Sequence, residues 1–207
     1  MPKQHLSEGM IHVYTGEGKG KTSASLGVAM RAAGHGYKTY IIQFMKGNVE
    51  YGEQEIANKL SPYITIKPMG RGCYVQRENL AEGLLAKGPL TKGSPTATAA
   101  ADQPEVTPWS EDIKLAQEAI ALAREVLVGE EYDIVVLDEI NVALAYGLIT
   151  EEMVLRLMTE RPAHVELILT GRYATPEIVK RADLVTEMVE IKHYYQRGVR
   201  SRIGIEK

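Results

Sequence analysis

The stretch Ile11-His12-Val13-Tyr14-Thr15-Gly16-Glu17-Gly18-Lys19-Gly20-Lys21-Thr22-Ser23 decides how this chain is read. Its first apolar residues form a strand, its glycines a tight turn, and the Ala-rich run from Lys21 to Ala33 a helix that stops at Gly34. Lacking Cβ atoms, Gly16, Gly18 and Gly20 let the backbone curl and aim N–H groups at an anion, to which the new helix offers its positive dipole end. This is the design of a phosphate-binding loop. Lys21 would lie along the phosphate oxygens, and the Thr22 hydroxyl would reach a Mg²⁺ that bridges them. Lys21 and Thr22 are therefore the candidate catalytic residues, and Gly16, Glu17, Gly18, Lys19, Gly20, Lys21, Thr22 and Ser23 the candidate nucleotide-binding set. A flexible Gly/Lys hairpin would use similar letters, but the strand before and the helix after argue for the loop. One position departs from the usual pattern: the place where such a loop opens on glycine is held by Thr15.

The second half of a nucleotide site is Tyr132-Asp133-Ile134-Val135-Val136-Leu137-Asp138-Glu139, an apolar strand that delivers two carboxylates at its C-terminal end. In a parallel sheet that end is the ligand-binding edge. Asp138 and Glu139 are candidate Mg²⁺ ligands, directly or through water, because hard oxygen donors suit that ion. The competing assignment makes Asp138 a cap for the following helix.

Working outward, apolar β-branched runs recur at Tyr40-Ile41-Ile42, Ile64-Thr65-Ile66, Val165 to Leu169 and Leu184-Val185, with helical patterns between most of them. The alternation predicts an α/β fold of the P-loop NTPase-like (RecA-like) kind, a mostly parallel sheet with helices on both faces. Ser110 is placed to cap a long helix running to about Val128, Thr150 with Glu151, Glu152 and Met153 starts another, and Thr175-Pro176-Glu177 opens a short one. Residues 1–207 are expected to form one domain. At about 79–108 the pattern dissolves into a Gly, Pro, Thr and Ala-rich insertion, either disordered or a lid over a site.

With 44% hydrophobic and 25% charged residues the composition is that of a globular protein. A single cysteine, Cys73, excludes an internal disulfide and a Cys-rich zinc site and suggests a reducing cytoplasm. The opening MPKQHLSEGM lacks the apolar run of a secretory signal, and no stretch reaches the roughly 20 apolar residues that span a bilayer, so no membrane role is expected. A net charge of -3 gives no general attraction to nucleic acid. The basic end, with Lys192, His193, Arg197, Arg200 and Arg202, reads as an anion-binding or subunit-contact segment, or as a solvated face.

Beyond these motifs the chain resembles the P-loop type of ATP:corrinoid adenosyltransferases. The blocks that carry the match are Val13 to Thr22, Arg31-Ala32-Ala33-Gly34-His35-Gly36, Gln43-Phe44-Met45-Lys46-Gly47, Val136-Leu137-Asp138-Glu139-Ile140, Arg161-Pro162, Thr170-Gly171-Arg172, Ala182 to Met188, Lys192-His193 and Gly204-Ile205-Glu206. They run in order along nearly the whole chain and leave the insertion uncovered. The resemblance implies that Co(I) of a reduced corrinoid (cobalamin) attacks C5′ of ATP and that triphosphate departs. It also implies ATP lying reversed along the loop, Thr22 and Glu139 as metal ligands, Arg31 as a nucleotide contact, a homodimer and a flavin-type reductase as electron donor. After Met69-Gly70-Arg71-Gly72 the family places Phe and, one residue beyond the next, Trp against the lower face of the corrin; this chain has Cys73-Tyr74-Val75. Those three are the candidate corrinoid-binding residues, with Tyr74 a substitute aromatic and Cys73 a soft axial ligand or a small buried residue. The rivals are an ATP and corrinoid-binding module without turnover and a phosphoryl-transfer NTPase.

Overall fold

A computed structural model describes residues 5–47, 51–71 and 108–206. The strands are β1 (Ile11–Thr15), β2 (Thr39–Phe44), β3 (Ile64–Met69), β4 (Ile134–Asp138), β5 (Glu166–Thr170) and β6 (Leu184–Glu187). All pairings are parallel, in the order β3-β2-β4-β5-β1-β6. The helices are α1 (Lys21–Ala33), α2 (Gly52–Lys59), α3 (Pro108–Val128), α4 (Ile140–Ala145), α5 (Glu151–Glu160) and α6 (Pro176–Arg181). The six apolar runs all became strands, and α1 has the limits its sequence predicts.

Both sheet faces are covered, which is why β4 is buried at every position. On one face Ile11, Val13, Phe44, Val135, Leu137, Leu167 and Leu169 meet Ala116, Ala119, Ala123 and Leu127 of α3 and Val154 and Leu157 of α5. On the other, Tyr14, Ile41, Val136 and Ile168 meet Ala29 and Ala32 of α1. The alanines let helix backbones approach the sheet closely. Strand β6, at the sheet edge beside β1, is exposed throughout its four residues.

Helix starts follow local chemistry. Thr150 accepts from the N–H of Met153, and Thr175 from that of Ile178, as expected of caps. Ser110 is a correction: α3 starts earlier, at Pro108, so Ser110 lies inside the first turn. Proline supplies a helical φ and has no N–H to lose there, which makes it a natural starting residue. The short helices α2 and α4 carried too little apolar periodicity to be singled out.

One side chain clasps β1 to β5. Glu166 accepts from the backbone N–H of Met10 at 2.7 Å and meets His12 Nε2 at 2.7 Å. Burial pushes the Glu166 pKa up, but His12 and the Met10 N–H outweigh it and hold it below its ordinary 4.5. A carboxylate depressed in the folded state contributes stability that is present above about pH 4.5 and lost as pH falls through its lower folded value. Glu166→Gln should therefore be less stable than the parent at neutral pH and lose less stability on acidification, with the two denaturation curves converging at low pH.

Candidate functional site

The C-terminal ends of β1, β2, β4 and β5 converge on a cavity of about 500 Å³, within the range of small-ligand sites. Because β5 lies between β1 and β4, the loop after β1 and the carboxylates after β4 face each other across it. Glu17 to Ser23 form one wall, Lys46, Glu53, Glu139 and Arg172 line others, and Gly204, Ile205 and Glu206 close the circuit.

The glycines of the loop have different tasks. Gly20 has φ 113 and turns the chain directly into α1. A Cβ on Gly16 would come within 2.5 Å of the Met188 carbonyl oxygen, and one on Gly18 within 2.8 Å of it. The N–H of Gly18 donates to that same oxygen at 2.6 Å. Gly16 and Gly18 thus admit the backbone that follows β6, and the Gly18 N–H is engaged there. Thr15, the departure from the usual pattern, is the last residue of β1, and its hydroxyl accepts from the N–H of Ala174 at 3.3 Å. The turn proper begins at Gly16, with φ 91.

Lys21 is buried, and its ammonium donates to the carbonyls of Gly16 at 2.6 Å and Gly18 at 2.7 Å. Burial lowers its pKa, opposed by the Glu139 carboxylate, while Arg172 adds to the lowering. The Thr22 hydroxyl donates to Asp138 Oδ1 at 2.9 Å, and Thr170 donates to the same oxygen at 2.7 Å. The other oxygen, Oδ2, receives Lys46 Nζ at 2.9 Å and Gln43 Nε2 at 3.4 Å. Asp138 is fully buried and does not cap α4. That cap position belongs to Glu139, which has φ 63 and donates its N–H to Thr170 Oγ1 at 2.9 Å.

The charges of the wall are mostly matched within it. Lys46 lies between Asp138 and Glu53, with its ammonium 5.4 Å from the Tyr51 ring centroid. Burial would lower the Lys46 pKa, yet Asp138, Glu53 and Glu139 together raise it above the ordinary value. Lys19 meets Glu206 at 3.4 Å, and Arg172 meets Glu17 at 3.0 Å. Lys21 is the exception, because neutral carbonyls hold it.

The structure thus brings Glu17, Gly18, Lys19, Gly20, Lys21, Thr22 and Ser23 together with Glu139, places Asp138 behind Thr22, and leaves Gly16 outside the wall, with its carbonyl on the Lys21 ammonium. Arg31 is exposed in the last turn of α1, about 15 Å along the helix from Lys21 at 1.5 Å per residue, and outside the cavity wall. His35 is exposed just beyond it, and His193 accepts from the N–H of Tyr195 at 2.9 Å as the cap of the 3-10 turn Tyr194–Arg197. Cys73, Tyr74 and Val75, and the insertion at 79–107, lie outside the described residues. Sequence reasoning assigned no role to Lys46, Glu53, Thr170 or Glu206. Lys46 and Thr170 carried a signal, since each stands where a buried parallel strand ends at the ligand edge.

A family model described as ATP:corrinoid adenosyltransferase BtuR/CobO/CobP matches residues 7–206. The chain is 34% identical over 200 residues to a corrinoid adenosyltransferase of Sinorhizobium sp, covering 96% of this chain and 80% of that one. It is 33% identical over 198 residues to the corrinoid adenosyltransferase of Escherichia coli K12 (96% and 85% covered) and 30% identical over 198 residues to that of Pseudomonas aeruginosa (96% and 83%).

The Asp138 cluster yields a stability prediction. Asp138→Ala leaves the buried Lys46 ammonium without its nearest carboxylate and should cost about 3–5 kcal/mol in urea unfolding. Adding Lys46→Met should recover a large part of that loss. An Asp138→Ala protein as stable as the parent would show that the pair contributes nothing.

Proposed function

The chain belongs to the ATP:corrinoid adenosyltransferase family, and we propose that it transfers the 5′-deoxyadenosyl group of ATP to Co(I) of a corrinoid such as cobalamin. The Co(I) electron pair forms the Co–C bond at C5′ as the C5′–O bond breaks, and its electrons leave with inorganic triphosphate. Cobalt is formally oxidised to Co(III). No proton has to be removed from the nucleophile, so the site needs no general base.

The observation that carries the site assignment is Lys21. Held by two carbonyls, its ammonium can pass to phosphate oxygens without breaking an ion pair. With the N–H groups that open α1, it faces the charge that builds on the departing triphosphate, a preorganised electrostatic contribution. The Thr22 O–H donates a hydrogen bond to Asp138, which leaves the lone pairs of the hydroxyl oxygen able to coordinate a cation, and Glu139 offers a carboxylate in the same wall. These hard oxygens fit Mg²⁺, which is commonly held by one or two protein groups together with phosphates and water, and no larger His, Cys, Asp or Glu cluster occurs among the described residues. Bound there, Mg²⁺ would supply further positive charge to the triphosphate. Asp138, occupied by its donors, orients Thr22.

Further elements of the reading have narrower support. Residues 1–207 act as one domain, because the described strands share one sheet. The enzyme is cytoplasmic, in keeping with its single cysteine, and no helix among the described residues is long and apolar enough to cross a membrane. It forms a homodimer, for which the exposed Leu184 and Val185 of the edge strand β6 offer an apolar surface. Co(I) has to be made by reduction, and the family resemblance implies a flavin-type electron donor. The family resemblance implies that Cys73-Tyr74-Val75 contact the corrinoid and that Arg31, which lies outside the cavity wall, contacts a part of the nucleotide beyond the triphosphate.

Incubation with ATP, Mg²⁺ and chemically reduced cobalamin should give a light-sensitive Co–C product and an equal amount of triphosphate. ADP with phosphate instead would mark a phosphoryl-transfer enzyme. Lys21→Ala should lower kcat/KM by roughly 10²-fold or more, the scale of losing one preorganised donor, while leaving the fold intact. Undiminished activity in that variant would remove the role given to the loop.

A further inference from the structure

The loop after β5 presents a charged group for which the reading above has no task. Arg172 follows Gly171, whose backbone is locked: φ is 126, and an added Cβ would sit 3.1 Å from the backbone nitrogen of Val142. The Gly171 N–H donates to the Tyr14 carbonyl at 3.1 Å, and the Ala174 N–H to Thr15 Oγ1 at 3.3 Å. The chain on either side of Arg172 is thereby tied to β1, the strand that feeds the phosphate loop. The side chain itself remains 47% exposed and reaches Glu17, a residue of that loop, which is 57% exposed.

The three ion-paired cations of the wall differ in how readily they can leave their partners. Lys46 and Asp138 are 11% and 0% exposed, so separating them would strand a buried charge. Lys19 is held both by Glu206 and by the Tyr194 ring, 5.6 Å from its ammonium. The Arg172–Glu17 pair is open to water on both sides, where such a pair contributes little and each partner is readily solvated alone. Arg172 is also the cation whose field reaches the ammonium of Lys21. Two positive groups directed at one space, one on carbonyls and the other on an exposed carboxylate, describe a receptor for a polyanion.

We propose that Arg172 is a ligand of the polyphosphate chain, stored on Glu17 and handed to the phosphates on entry, with Glu17 acting as a resident competitor that weakens binding of ions of low charge. A guanidinium presents paired N–H donors that match phosphate oxygens, whereas the displaced carboxylate turns to solvent. This inference rests on the reading of the cavity as a triphosphate site and adds a residue from the loop after β5.

The test is calorimetric titration of the full chain with inorganic tripolyphosphate, with ATP as a second probe. Arg172→Gln should weaken tripolyphosphate binding roughly tenfold or more, as expected for loss of a charge-assisted pair, and Arg172→Lys should restore part of it. Glu17→Gln should tighten binding, and that gain should shrink in the Arg172→Gln background because no guanidinium is then released. Both residues are exposed, so the fold should survive; unchanged thermal unfolding checks this. If the parent binds both probes and Arg172→Gln matches it, or if the gain from Glu17→Gln is undiminished in the double variant, the assignment of Arg172 falls and the triphosphate site stands. A parent that binds neither probe overturns both.

Discussion

A carboxylate sealed from water must be met by donors, and the one at the end of β4 is met from every side. Thr22 and Thr170 share one oxygen of Asp138, while Lys46 and Gln43 share the other. Those partners come from the first helix, from β5 and from the end of β2, so a single side chain fixes the relative heights of the elements that frame the cavity. The orientation of the Thr22 hydroxyl and the place of Glu139 one residue further on both follow from it. Any change that unseats this group disturbs the phosphate loop and the opposite wall together.

The near-cancellation of charge around the cavity has a functional logic. A cleft with many unpaired ammonium groups would bind stray anions and repel itself; pairing each cation with a carboxylate avoids both. A polyphosphate must then compete with groups already in place, which favours ions of high charge and many oxygens. Lys21 escapes this rule because its partners are dipoles, and dipoles are cheaper to leave than ions.

The fold was legible because its signals are local. Apolar runs marked all six strands, Gly34 ended α1, and Thr150 and Thr175 marked their helices with hydroxyls that bond where a cap should. The loop was legible for the same reason, since its glycines, lysine and threonine all fall between Gly16 and Thr22. What remained hidden depends on distance in sequence. Lys46 meets Asp138 across 92 positions and Thr170 across 32, contacts that no local pattern encodes. Glycines that appeared to serve the phosphates alone also make room for Met188, which sequence reading had no means to foresee. Ser110 misled because a good capping residue lay two positions inside a helix that a proline had already begun.

The segment beyond β6 gives the protein an order of assembly. Strand β1 and its loop are made early, yet the backbone they lean on at Met188, and the wall at Gly204, Ile205 and Glu206, are made late. A nascent chain could build β1 to β5 and still own only a half-open cleft. The cleft is therefore complete only once the segment after β6 is in place, and a protease that clipped this exposed run would remove one wall of the cavity without touching β1 to β5.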